Sequence, residues 1–364
     1  MICLAPILLL LAAGDQKQPA GFEQISRAAA TAREQERTDE AITLYRRAVR
    51  VRPSWSEGWW YLGTLLYDRD SYPDARDALR RLVSLDPKSG PGFALLGLSE
   101  YQTREYQQAL ADLNTARSLG TGDDLQMKRV VQYHSVILLT RFEEYESALR
   151  VLERLVRTGQ IGPDIINAAG LAGLRKPILP DGIPPADKDL VEHAGRAVCA
   201  MAERRSADAQ RFFDELVAAY PKALNVHYLY ASFLLGSDPD AALREFENEL
   251  ALDPKHVQAL VNIALEYEKR GDIDKALPYA RRAVDAAPDF FAARGVLGRL
   301  LTDTDEIDKG IHELEIARKQ APDSPQVRFA LASAYSKAGR KADAAREREE
   351  FRRLKQLGEA RTEP

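Results

Sequence analysis

A phrase ending in proline recurs along this chain about every 34 residues, and that period limits the fold more than any other feature of the sequence. The prolines are Pro53, Pro87, Pro221, Pro254, Pro288 and Pro322, and the steps 53 to 87, 254 to 288 and 288 to 322 are each 34 residues. Twelve residues before each proline stands a small side chain: Ala41, Ala75, Ala209, Ala242, Ala276 and Gly310. Where the proline is missing the small residue persists, as Ala109, Ala148 and Ala344. Units of this kind contact only their neighbours and share a core by stacking.

Within a unit the apolar residues keep helical spacing. Trp59, Leu62, Gly63 and Leu66 give a first helix one apolar face. Asp68-Arg69-Asp70-Ser71 makes a polar turn, and Ala75, Leu79 and Leu82 mark a second helix. That helix should stop ahead of Pro87, because the residue before a proline is pushed out of the α region. Pro73 suits the helix start, where its missing N–H costs little. Small residues at Gly63 and Ala75 let the two helices approach closely; a larger side chain would hold them apart.

The series Trp59, Leu62-Gly63, Leu66, Ala75, Leu79 and Pro87 resembles the tetratricopeptide repeat family. It recurs as Phe93, Leu96-Gly97, Ala109, Leu113 and Ala116, and as Leu260, Ile263-Ala264, Tyr267, Ala276, Ala280, Ala283 and Pro288. Leu297-Gly298, Gly310, Leu314, Ala317 and Pro322 follow, then Leu331-Ala332, Tyr335 and Ala344. The resemblance covers nearly everything from Phe22 to Leu357. It implies an all-α fold, a right-handed α-solenoid of about nine helix-turn-helix repeats.

The period slips in three places. The unit from Arg129 has Val136 where a small residue is expected and lacks a closing proline, and the unit from Val226 to Pro254 has lost a residue in its turn, Gly236-Ser237-Asp238-Pro239. Between Ile161 and Asp187 the phase breaks: Ile165–Leu174 reads as one short helix, and Pro177, Pro180, Pro184 and Pro185 then exclude helix. This predicts an N-terminal array over 20–175, a proline-rich joint at 176–186 and a C-terminal array over 187–357; one kinked, continuous solenoid is the alternative. The last helix, Lys341–Leu357, is apolar on one side only, as a terminal cap must be, and 358–364 reads as a disordered tail.

At the other end, Ile2–Ala13 is an apolar run too short to span a bilayer, with Ala12, Ala13 and Gly14 as cleavage candidates. Residues 1–14 therefore read as a signal peptide, although no Lys or Arg precedes the run. The expectation is export to the periplasm or cell envelope of a bacterium, with membrane contact only through this segment; without a signal the location is cytoplasmic. Removal would leave Cys199 as a lone thiol, read as a small buried hydrophobe.

Catalytic constellations are not found. His134, His193, His227, His256 and His312 fall on different repeats without ligand spacing, and Gly170-Leu171-Ala172-Gly173 lacks the Lys-Ser/Thr of a phosphate loop. The carboxylates Asp238, Asp240, Asp303 and Asp305 sit in turns, where Asp bonds the backbone. The chain is thus expected to be no enzyme, with no metal and no cofactor. With 51 Lys+Arg against 55 Asp+Glu it carries no basic stripe, so no nucleic acid is expected as partner. The pairs Arg46-Arg47, Arg80-Arg81 and Arg281-Arg282 read as a solvated face paired with nearby acids such as Asp77 with Arg81, rather than as a row of anion contacts.

In the family resembled, first helices line a concave surface that takes an extended peptide or a helix. The positions flanking the packing residues there hold Trp60, Thr64, Tyr67, Leu98, Tyr101, Tyr133 and Ile137 in the second to fourth units, an aromatic strip. Tyr and Trp give large contact area at low entropic cost. The predicted groove therefore centres on Trp60, Tyr67, Leu98, Tyr101 and Tyr133, and its partner is another protein. The alternative is that these rings fill the inner wall. The later equivalents, Gln258, Val261, Leu265, Glu268, Arg299, Gln326 and Ser333, are more polar. The paired Lys and Asn that grip a C-terminal carboxylate in this family are missing: Asn262 stands alone beside Ala231 and Gly295. Three functional readings follow: a non-enzymatic interaction scaffold, an accessory subunit of an envelope enzyme or assembly complex, or a small-ligand or carbohydrate site in the aromatic groove.

Overall fold

In the computed structural model, which describes residues 20–360 and the side chains of 21–357, the proline phrase marks the end of a helix each time it occurs. The described residues form nineteen α-helices and no strand. Four hairpins come first: α1 (Ala20–Glu34) with α2 (Thr38–Val51), α3 (Ser56–Asp68) with α4 (Tyr72–Leu85), α5 (Gly90–Gln102) with α6 (Tyr106–Leu119), and α7 (Leu125–Arg141) with α8 (Tyr145–Val156). A single helix follows, α9 (Pro163–Gly173). Five more hairpins pair α10 (Lys188–Ala202) with α11 (Ser206–Ala219), α12 (Val226–Leu234) with α13 (Pro239–Leu252), and α14 (Val257–Arg270) with α15 (Ile273–Ala286). The last two join α16 (Phe291–Asp303) to α17 (Ile307–Gln320) and α18 (Pro325–Lys337) to α19 (Lys341–Ala360). The probable-signal segment, residues 1–14, lies outside the described residues.

Helices α2, α4, α11, α13, α15 and α17 each end two residues before a proline, and the residue between is extended, with φ from −128° to −142°. The proline carbonyl is then used from the next first helix. Trp59 Nε1 donates to Pro53 O at 2.9 Å, Arg294 Nε to Pro288 O at 2.6 Å and Arg328 Nε to Pro322 O at 3.1 Å; His227 Nε2 lies 2.9 Å from Pro221 O. All four donors stand six residues past their proline, so the Trp of the sequence pattern is a hydrogen-bonding position as well as an apolar one. Each such bond contributes about 1 kcal/mol.

Turns repeat as faithfully as helices do. Glu36, Asp70 and Arg104 have φ of 57°, 56° and 64°, and Gly271, Asp305 and Gly339 have 79°, 61° and 73°. Within each trio the spacing is 34 residues. The hairpin α12/α13 that lost a residue has no positive φ in Gly236–Pro239; the Asp238 carboxylate instead accepts the Ala241 N–H at 2.9 Å. The small residues close the hairpins: Ala41, Ala75, Ala109, Ala148, Ala209, Ala242 and Ala276 are each 0% exposed. A Cβ on Gly97 would lie 3.1 Å from the Ala109 carbonyl oxygen, and one on Gly298 would lie 2.9 Å from that of Gly310.

The arginine pairs are ion-paired, but mostly with the next repeat rather than within their own helix. Arg46 pairs with Asp74, Arg80 Nη2 meets Glu105 at 2.5 Å, and Arg281 Nη2 lies 3.6 Å from Glu306. Arg318 reaches Glu347 at 2.6 Å in the same way. Asp77 is held by Arg76, not by Arg81. These partly exposed pairs contribute at most about 1 kcal/mol each.

The chain divides into two compact units between Gly159 and Gln160, not in the proline-rich segment. The first unit holds α1–α8. The second begins with α9, which the sequence had placed in the N-terminal array; α9 packs on α10, and α10 packs in turn on α11. Glycines make the α9–α10 contact possible: a Cβ on Gly170 would sit 2.0 Å from Val191 O, and one on Gly195 2.0 Å from Ile166 O. The prolines between them do exclude α-helix, leaving two 3-10 turns at Pro180–Gly182 and Pro185–Asp187. Gly358–Ala360, expected in the disordered tail, belong to α19. Cys199 is buried and unpaired, and burial pushes its thiol up to about 12.

Two described side chains of the first unit, Glu100 and Gln132, are buried with one oxygen left unpaired. Glu100 on α5 is 1% exposed; Arg80 Nη2 donates to its Oε1 at 2.8 Å, and its Oε2 has no partner. Burial, and secondarily the neighbouring Asp112, raise its pKa to about 7. Because the folded pKa lies above the unfolded one, the unfolded state ionises first as pH climbs, and stability falls between about pH 4.5 and 7. Glu100→Gln should flatten that fall in thermal melts across the window, and an unchanged slope would exclude Glu100 as its source. Gly195→Ala, which forces α9 and α10 apart, should cost about 2 kcal/mol in urea unfolding.

Candidate functional site

The first helices of the first unit lie side by side in order, α3 beside α5 and α5 beside α7. Trp60, Thr64 and Tyr67 come from α3, Leu98 and Tyr101 from α5, and Tyr133 and Ile137 from α7. They separate into two sets. Leu98 is 4% exposed and Ile137 2%, so both are core and Leu98 is not the groove residue it was expected to be. Trp60, Tyr67, Tyr101 and Tyr133 are half-buried, each with part of a ring in solvent.

Two of these rings, Tyr101 and Tyr133, are joined by a residue the sequence did not single out for this role. The His134 ring stands edge-on to Tyr101, centroids 4.8 Å apart, and edge-on to Tyr133 at 5.2 Å. Tyr101 also meets Tyr106 of α6 at 5.7 Å, and Tyr67 stands edge-on to Tyr72 of α4 at 5.3 Å. Burial holds the His134 pKa below its ordinary value of 6.5, so the ring is neutral at pH 7, and its Nδ1–H donates to Val130 O at 2.8 Å. A neutral imidazole between two phenols is a third flat ring in the strip, not a charge. The signal in the sequence was its spacing, 33 residues after Tyr101. Burial raises the Tyr67 phenol above its ordinary pKa, so it too is uncharged.

The corresponding face of the second unit is different in kind. Arg299 and Glu268 make a bidentate pair at 2.9 Å for both contacts, Val261 is 8% exposed, and Leu265 projects into solvent at 37%. No group of three or more His, Cys, Asp or Glu is arranged to hold a metal ion among the described residues, and no described helix is long and apolar enough to cross a membrane. His227 is held between Glu245, which bonds Nδ1, and Pro221 O at Nε2, so both nitrogens carry protons and its pKa is raised. That is a structural imidazolium.

Comparison with known proteins bears on the repeats. Family models described as tetratricopeptide repeat match residues 27–90, 232–289 and 267–328. A curated protein from Homo sapiens named Protein O-mannosyl-transferase TMTC3 is 24% identical over 258 residues, 66% of this chain and 27% of that protein. The chain thus spans about a quarter of the length of the curated relative it matches. Solved structures named MamA RS-1 ArsTM double mutant and MamA AMB-1 cover 47% and 45% of this chain and 97% and 98% of theirs, at 20% and 21% identity and TM-scores of 0.43 and 0.39.

The two sets of strip residues predict opposite mutational behaviour. Leu98→Ala should cost about 2–5 kcal/mol in denaturant unfolding, as a buried leucine does. Trp60→Ala should cost much less, because that ring is part-exposed; equal losses for the two would place Trp60 in the core.

Proposed function

Because the chain is a tetratricopeptide repeat protein, we propose that it is a non-enzymatic scaffold whose first unit binds a partner peptide or helix along α3, α5 and α7. The observation that carries this reading is the run of half-buried rings Trp60, Tyr67, Tyr101 and Tyr133 on three adjacent first helices. Such flat, two-torsion rings lose little side-chain entropy on binding and supply apolar area to a partner. His134 stiffens the strip while adding no charge to it. The polar, ion-paired face of the second unit supports placing the site in the first.

A second reading has the scaffold serving an enzyme carried on another chain. Likeness to only part of a protein named as a transferase favours it. Export through the N-terminal apolar run, to a periplasm or cell envelope, belongs to both readings as a proposal. A small ligand or carbohydrate in the strip is the third occupant, and saturable quenching of Trp60 fluorescence would report it.

The test compares wild type with Trp60→Ala/Tyr101→Ala in affinity co-purification from the host's envelope, followed by titration of the recovered partner. A partner held by wild type and weakened about 30-fold or more in the folded double variant, as for a binding hot spot, supports the groove. A catalytic activity that co-purifies with it selects the second reading. Equal recovery by both proteins would return the rings to structural duty.

A further inference from the structure

The first unit carries a second feature at the opposite end of its last two hairpins, where α6 and α8 terminate and α7 begins. A pocket of about 500 Å³ opens there, lined by Arg117, Lys128, Arg154 and Arg157 together with the buried side chain of Gln132. No acidic side chain lines it. Arg157 is paired with Glu153. Arg117 donates to the neutral Asn114 Oδ1 at 2.9 Å, and Arg117, Lys128 and Arg154 make no ion pair within 4.0 Å among the described residues.

This departs from the rest of the protein in two ways. In four other units a second-helix arginine, Arg46, Arg80, Arg281 or Arg318, reaches an acid of the next repeat. The position of Arg117 within its repeat is occupied by Val49, Val83, Val156, Val217 and Val284 in five other units and by Leu250 in one; the last two repeats place Arg318, which is paired, and Arg352 there. A guanidinium thus stands half-buried where most repeats place valine, facing Arg154 with nothing opposite in charge. Burial and the nearby Arg154 both disfavour its protonated form. Unrelieved like charges around a concave space are a standing electrostatic cost, and an anion seated among them removes it. Gln132 adds a buried carboxamide whose Oε1 has no hydrogen-bond partner, in a protein where buried polar atoms are almost all paired. The loop that walls the pocket is fixed by Gly120 and Gly122, at φ of 84° and 72°, on either side of buried Thr121.

We propose that this pocket binds a small organic polyanion, with phosphate or carboxylate oxygens clustered within reach of Arg117, Lys128 and Arg154. Guanidinium forks take such oxyanions two at a time, Lys128 adds a point charge, and Gln132 Oε1 accepts from a ligand hydroxyl deeper in. The volume suits a ligand larger than a single inorganic ion. The site shares no residue with the aromatic strip, so its occupancy does not depend on the scaffold reading.

The experiment is calorimetric titration of the full chain at low chloride with two probes, pyrophosphate and citrate, and parallel thermal melts. Binding of at least one probe at one per chain is expected, with a Kd below about 100 µM that weakens as salt is added. Arg117→Gln and Arg154→Gln should each weaken it about tenfold or more, while Arg281→Gln, on a paired arginine of the second unit, leaves it unchanged. Without a probe, Arg117→Gln and Arg154→Gln should melt no lower than wild type, since each relieves the repulsion, and they should lose the rise in melting temperature that the probe gives wild type. Binding of pyrophosphate alone assigns the phosphate class, citrate alone the carboxylate class, and both together the shared chemistry. Failure of both probes at about 1 mM, or binding equal in the two pocket variants and wild type, would overturn the proposal.

Discussion

Each hairpin in this protein closes over a position with room for little more than a methyl group, and the distance between paired helices follows from that. Eight repeats place alanine there, buried almost completely, and the ninth places Gly310, whose added Cβ would lie 2.6 Å from the Gly298 carbonyl oxygen. With the helices that near, leucines from both sides interdigitate. The apolar stripe of one hairpin is then left to be covered by the next, which is why the fold exists only as a stack. The same constraint governs the irregular helix α9. It has no partner of repeat type, yet it reaches α10 more closely than a side chain permits, through Gly170 and Gly195.

Periodicity in sequence becomes periodicity in contacts. The proline that stops a second helix also leaves a carbonyl free, and the following first helix uses it from the same position with Trp, His or Arg. The requirement is a donor of sufficient reach, so residues that differ in size, charge and aromaticity are equivalent there. Several arginines on second helices find an acid one repeat on, as Arg80 with Glu105 and Arg318 with Glu347 illustrate, while Arg211 pairs one turn away with Asp208 and Glu215. Arg117 and Arg154 are set apart because they face each other across one concave space that no acidic side chain lines.

Much of the fold was legible in advance: the nine hairpins, the stops before Pro53, Pro87, Pro221, Pro254, Pro288 and Pro322, the shortened turn at Gly236–Pro239 and the buried Cys199. The site was legible in part. Trp60, Tyr67, Tyr101 and Tyr133 lie half-buried on neighbouring first helices, and Tyr101 and Tyr133 meet through His134, whereas Leu98 is core. Helical spacing fixes which face a residue occupies to within about one position, since 3.6 residues make a turn and the buried arc is wide. A leucine at the edge of that arc turns inward when a neighbouring hairpin leans over it. His134 was passed over because metal-ligand spacing was the question put to it, whereas its part is to stack with phenols.

By itself the sequence determined repeat length, helix ends, turn positions and the small residues that set the helix spacing, because all of these are local: each depends on the conformational limits of one residue or on the spacing along one helix. Tertiary structure alone decided the division after Gly159, the allegiance of α9, the burial of Leu98, the raised pKa of buried Glu100, and the cationic pocket around Arg117. Each of these depends on which groups from separate helices face one another and on how much water remains between them. Spacing along a chain does not encode that, because the charge and dielectric surroundings of a side chain are set by its neighbours in space.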